Sequence, residues 1–223
     1  MAYPTVAVPY GLKPINLIGG QVYAGQTRQY VIASGATPAI FNGDVVKIVA
    51  GGTIEKDTGE TTATPCGVFM GCSFVNAQGQ VIFSQYFPSG TTAPTGTQIT
   101  AYVADDPDQL FKAVLVSGAT EDGNGLTPAY LGRTVIGGNA QLVQNTGSTT
   151  TGDSKVGIYT DGATVTPSLP IRIIDVVPDT ANSSGNFVEL IVKFNAPYFT
   201  LAEGTPNTIT WAGGHQYLNP LGV

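Results

Sequence analysis

Apolar and polar residues alternate along much of this chain. From Phe187 to Phe194, the residues Val188, Leu190, Val192 and Phe194 fall on one side and Glu189 and Lys193 on the other. A period of two marks a strand half-buried in an antiparallel sheet. Val81–Phe87 and Phe111–Val116 repeat the pattern. Ile171–Val177 is more continuously apolar and predicts a central strand covered on both faces. Cys66–Val75 reads as one long strand. No window of ~11 or more residues carries a helical period.

Turn residues separate the apolar runs. Val45–Val49, Gly51-Gly52 and Thr53-Ile54 predict one hairpin. Val135-Ile136, Gly137-Gly138 and Leu142-Val143 predict a second, and Gly157–Thr160, Asp161-Gly162 and Ala163–Val165 a third. Gly-Gly and Asp-Gly suit two-residue primed turns, which need positive φ. Asn42-Gly43 and the segment Asn76–Gly79 mark further turns. Asp105-Asp106-Pro107-Asp108-Gln109-Leu110 joins an N-cap Asp to an early Pro and predicts one turn of helix at most. No internal repeat of fixed period is visible, which argues against a solenoid or propeller. The predicted fold is all-β: an antiparallel, hairpin-rich barrel or sandwich over residues 21–195, with room for division into two β lobes near 117–132.

The two ends read differently. Residues 1–20 carry Pro4, Pro9 and Pro14, and residues 196–223 carry Pro197, Pro206 and Pro220 among aromatic residues. Neither predicts regular structure, yet neither has the polar composition of a disordered tail. Both are expected to be extended arms lying on the body or on a neighbouring subunit. The candidate contact residues are Tyr3, Val8, Tyr10, Leu12, Ile15 and Leu17 on the first arm. On the second they are Tyr198, Phe199, Trp211, His215, Tyr217 and Leu218.

Composition sharpens this picture. Hydrophobic residues make up 42% of the 223, but charged residues only 11%, against about 25% in a typical globular chain. So little charge suits a surface hidden against partners, or a Ser/Thr/Gly-rich exterior. Nine basic residues face fifteen acidic ones, and they form no basic stripe of the kind phosphates require, so no nucleic-acid partner is expected. No stretch approaches the ~20 apolar residues of a membrane helix, and no membrane partner is expected. The opening residues lack a basic leader region, so folding in the cytoplasm is expected. Cys66 and Cys72, spaced along one strand, are expected to be free, partly buried thiols.

Candidate chemistry is sparse. His215 is the only histidine and sits after two glycines, where it is expected to be poorly held, a surface or interface residue rather than a general base. Gly147–Ser154 matches a phosphate-binding loop except that Asp153 replaces the lysine, which would repel phosphate; a flexible hairpin loop is expected there. Asp105–Asp108 and Glu121–Gly125 are acidic loops, but the second breaks the calcium-loop pattern at Leu126. Asn182-Ser183-Ser184 is a formal sequon read as a polar turn. The expectation is a protein without catalytic residues, metal or cofactor.

Several segments carry a resemblance. They are Pro9–Pro14 with Asn16–Gly20, Phe41–Lys47, Gly67–Cys72, Ala101–Asp108, Asn182–Gly185 and Gly214–Tyr217. In these the chain resembles small virion proteins of tailed phages of marine and freshwater bacteria. The resemblance implies a capsid decoration or cement protein, with a β-barrel or β-tulip body, on the capsid exterior. It implies the major capsid protein and further copies of itself, in a trimer or other homo-oligomer, as partners. A tail, baseplate or fibre adaptor is the alternative, and a virion-associated polysaccharide-degrading enzyme a second.

Overall fold

The computed structural model describes residues 6–117, 132–160, 165–180, 187–201 and 209–220. Strands dominate, as the alternation predicts. In chain order they are β1 (Lys13–Leu17), β2 (Arg28–Ile32), β3 (Val45–Ile48), β4 (Ile54–Lys56), β5 (Gly67–Val75), β6 (Val81–Ser84) and β7 (Ile99–Ala104). They continue as β8 (Gln109–Leu115), β9 (Asn139–Val143), β10 (Gly157–Tyr159), β11 (Ile171–Val176), β12 (Val188–Phe194), β13 (Tyr198–Leu201) and β14 (Ile209–Ala212).

Two sheets close on themselves. The first runs β3-β4-β2-β7-β5, and β5 returns to β3. The second runs β8-β10-β9-β11-β12, and β12 returns to β8. Each is a five-stranded barrel with one strand added outside the ring: β6 on β5 in the first, β1 on β8 in the second.

The barrels share one topology. In each, the first strand runs parallel to the third, Ile32 opposite Ile54 and Leu115 opposite Ile158. The register agrees residue by residue. Ile32 also faces Ile99, and Leu115 faces Val188. Val46 faces Gly67 where Ala140 faces Ile171. Phe69 faces Val103 where Ile173 faces Val192, and a bulge follows at once in both, at Met70 and at Ile174. The cores therefore come from matched positions. Ile32, Val46, Ile54, Phe69, Cys72, Ile99, Ala101 and Val103 fill the first. Leu115, Ala140, Ile158, Ile173, Val176, Val188, Leu190 and Val192 fill the second. The lobes divide at Asp105–Asp108, between β7 and β8, rather than near 117–132. Residues 118–131 lie outside the described ones, Glu121–Gly125 included.

The barrels are fused rather than strung. Val45, Val68 and Ala104 on the outside of the first barrel join the apolar core of the second, with Leu12 and Ala63. A polar seam runs beside them. Asp44 Oδ1 accepts from Ser154 Oγ (2.7 Å), and Lys56 Nζ reaches Asp44 Oδ2 (3.2 Å) and the Asn145 carbonyl (3.3 Å). The Gly147–Ser154 loop is fastened, not flexible: Asn42 N donates to Gly152 O, and Gln85 Nε2 donates to Asp153 Oδ1.

Turn chemistry departs from the two-residue expectation. At the β3–β4 hairpin Val49 N donates to Thr53 O and Gly52 N to Val49 O, with Gly52 at φ +73°. That is a three-residue loop with a left-handed glycine at its end, whose twist also suits the strands. The turn after Asn76 repeats it with Gly79, and the turn after Leu17 with Gly20. The hairpin expected at Val135–Val143 does not form. Gly132–Val135 is a 3-10 turn, and β9 pairs with β10 and β11 instead. At the third, β10 pairs with β9 and β8, while residues 161–164, like the sequon, lie outside the described ones. The helical turn expected near Asp105 is a β-turn, with Gln109 N donating to Asp106 O. β11 is central but covered on one face only, since Arg172 is exposed.

Among the described residues, both ends carry strands where none is predicted. Within residues 1–20, β1 pairs with β8, and Gly11 crosses Gly43 so closely that a Cβ would stand 2.5 Å from the Gly43 carbonyl oxygen. Within residues 196–223, β13 and β14 form a hairpin. Cys66 and Cys72 are free and buried. Burial pushes both thiols up to about 12.

Candidate functional site

The matched barrels show where one departs from the other. Counting from the shared register, Phe111 and Phe194 of the second barrel correspond to Arg28 and Asp105 of the first. Phe111 and Phe194 are buried and pack with ring centroids 5.1 Å apart. At the same place in the first barrel stands an ion pair, Arg28 Nε to Asp105 Oδ2 at 2.8 Å. The Arg28 side chain is 64% exposed and that of Asp105 11%. Tyr30 OH (2.6 Å) and Tyr217 OH (2.8 Å) donate to the same Asp105 oxygen, and the two phenols touch one another. Burial raises the Asp105 carboxyl above its usual range, and the Arg28 charge opposes that rise. A cleft of about 230 Å³ opens here, lined by Arg28, Asp105, Asp106, Gln109, Tyr217 and the Gln21–Ala24 segment.

The C-terminal segment closes this end of the barrel. His215 is fully buried and held, contrary to the expectation of a loose surface residue. Its backbone N donates to Asn195 O, its Nδ1 accepts from Tyr217 N, and its ring packs against Phe194 and Tyr217. Its Nε2 is buried without a hydrogen-bond partner. Burial depresses the imidazole to about 4, against the pull of Asp105. Gln216 imitates a strand: its Oε1 accepts from Ile48 N (2.7 Å) and its Nε2 donates to Ile48 O (2.9 Å). Asp105, Tyr30 and Arg28 thus hold Tyr217 in place, and the carboxylate that the sequence offers as an acidic loop is used as a clamp. Asp108 is likewise engaged, by Lys193 at 3.1 Å. Among the described residues no group of three or more His, Cys, Asp or Glu side chains is placed to hold a metal.

The proposed contact residues scatter. Leu12 is fully buried in the chain's own core. Tyr10 donates to Glu189 and has the Lys13 ammonium over its ring at 4.7 Å. Ile15 and Leu17 are half-buried on β1. Leu12 and His215 face inward and are removed as contact residues. Val8, Tyr217 and Leu218 are exposed. Tyr198, Phe199 and Trp211 lie on the β13–β14 hairpin, and Tyr3 falls outside the described residues.

A surface absent from that set stands out. β6 is the last strand of its sheet and pairs with β5 alone. Its Phe83 is 75% exposed and Val81 61%. The alternation at Val81–Phe87 is present, but within β6 Val81 and Phe83 point to solvent, while Phe87, beyond the strand, is buried in the first barrel's core. The strand lies outside the closed ring, so no core waits beneath Val81 and Phe83. The legible signal was the run Ala77–Phe87, which holds no charged residue, where edge strands normally carry Lys or Pro.

No protein-family model matches the chain, and no curated protein or solved structure matches it.

Proposed function

We propose that this chain is a non-enzymatic structural subunit of a tailed-phage particle, a capsid decoration or cement protein that binds the outer shell and stabilises its junctions. The observation that carries the reading is the β5–β6 hairpin: an uncharged edge strand presenting Phe83 and Val81 to solvent, on a chain with 11% charged residues. Exposed apolar edges are a liability for a free monomer and an asset for a subunit that is covered on assembly. The fused barrels supply a stiff body, and the segments resembling phage virion proteins point to the shell. The major capsid protein is the proposed partner.

Copy number tests the reading. Quantitative mass spectrometry of purified particles should find the chain in hundreds of copies. A handful of copies would move it to the tail, and absence from particles would overturn it.

A further inference from the structure

We propose that the open edge of β6 pairs with β6 of a second copy, antiparallel, about a two-fold axis at Ile82. The ladder sets the register. Asn76 N donates to Gln80 O at the hairpin turn, so, by antiparallel alternation, Ile82 and Ser84 turn their backbone groups toward β5. Val81 and Phe83 turn theirs outward. Pairing two such edges about Ile82 sets Val81 opposite Phe83 of the other copy, and Phe83 opposite Val81. Both are then hydrogen-bonded pairs, with Ile82 facing Ile82 in the non-bonded pair between them. The register that satisfies the open backbone groups is also the one that packs each exposed phenyl ring against an exposed β-branched side chain, a favourable cross-strand pair. No charge lies on either strand to oppose it.

Area decides how strong the contact is. A phenyl side chain spans about 200 Å², and with its neighbours the edge offers on the order of 300 Å² per copy, against about 800 Å² per partner for a stable interface. Two free copies in dilute solution are therefore monomeric. Copies held side by side on a surface meet at millimolar effective concentration, and there the pair forms. The inference deepens the assembly reading by naming one contact of the subunit, but its test uses the isolated chain.

The test is disulfide trapping on the full chain. Opposed residues of a non-bonded antiparallel pair have Cα atoms ~4.5 Å apart, within disulfide range. Diagonal neighbours stand at ~7–8 Å. Under mild oxidation at rising protein concentration, Ile82→Cys should form covalent dimer at least tenfold faster than Ser89→Cys, an exposed control on the following loop. Adding Phe83→Lys should return it to the control rate. Val81→Cys mixed with Phe83→Cys should give mixed dimers in excess of either alone. The buried Cys66 and Cys72 do not compete. Equal rates for Ile82→Cys and the control would overturn the pairing. If Phe83→Lys also left particles unoccupied, the edge would belong to a strand of another particle protein. Cross-linking by a chain absent from particles would instead overturn the assembly reading and leave the pairing standing.

Discussion

Asp105 takes three donors on one oxygen, and this fixes where the C-terminal segment lies. The sequence showed the aspartate but not its role, because Arg28, Tyr30 and Tyr217 reach it from three distant parts of the chain. His215, packed behind the cluster, gives a pH signature. Its folded-state pKa, about 4, lies below the ~6.5 of a free imidazole. The unfolded chain therefore binds the proton first, and stability falls as pH drops from about 6.5 toward 4. Full expression of that shift is worth about 3 kcal/mol. Asp105 acts with the opposite sign, since its raised carboxyl lets the folded state take up a proton first at the acid end. The melting temperature should thus decline between pH 7 and 5, and His215→Gln should flatten the decline; parallel curves for the two proteins would refute the assignment. The seam between the barrels gives a second expectation. Lys56→Met leaves Asp44 buried without its cation, which should cost about 3–5 kcal/mol by urea unfolding.

At the scale of elements, alternation and turn residues located β3–β6, β8 and β10–β12 and several of the breaks, because both act within a few residues, while β2 and β7 lie outside the predicted runs. What alternation could not supply was the side of each strand that meets a core. β12 and β6 show the same period, yet the large residues of β12 lie inside a barrel and those of β6 in solvent. The same limit hid β1. Three prolines made the N-terminal segment read as irregular, but Pro14 sits at an edge that needs no donor there, and β1 still pairs with β8. Leu12, just before β1, is sealed in the shared core. Leu12→Ala should therefore cost about 2–5 kcal/mol. Phe83→Lys, by contrast, should leave the melting temperature within about 2 °C, since a surface change away from a core stays within about ±0.5 kcal/mol. Differential scanning calorimetry of the two variants separates the element that holds the body together from the one that faces outward.

Across the whole molecule, the two barrels repeat one another in strand order, register and bulge position, and no repeat shows in the sequence. The spacing between equivalent residues explains this. It is 83 from Ile32 to Leu115, 104 from Ile54 to Ile158 and 89 from Ile99 to Val188. Loops of unequal length, and the β6 strand inserted between β5 and β7 of the first barrel, erase any fixed period. Core positions keep their apolar character but not their identity, as with Phe69 and Ile173 or Val46 and Ala140. The fusion has a thermodynamic consequence. Val45, Val68 and Ala104 belong to the wall of one barrel and the core of the other, so opening either barrel uncovers apolar surface of both. Two independent domains would unfold in separate steps; these should unfold in one. Urea unfolding followed by far-ultraviolet circular dichroism and by Trp211 fluorescence should give coincident transitions. Val103→Ala in the first barrel and Leu190→Ala in the second should each move that single transition to lower urea with its slope unchanged. A second transition appearing in either variant would show that the barrels are joined by the chain alone and that the shared core contributes little.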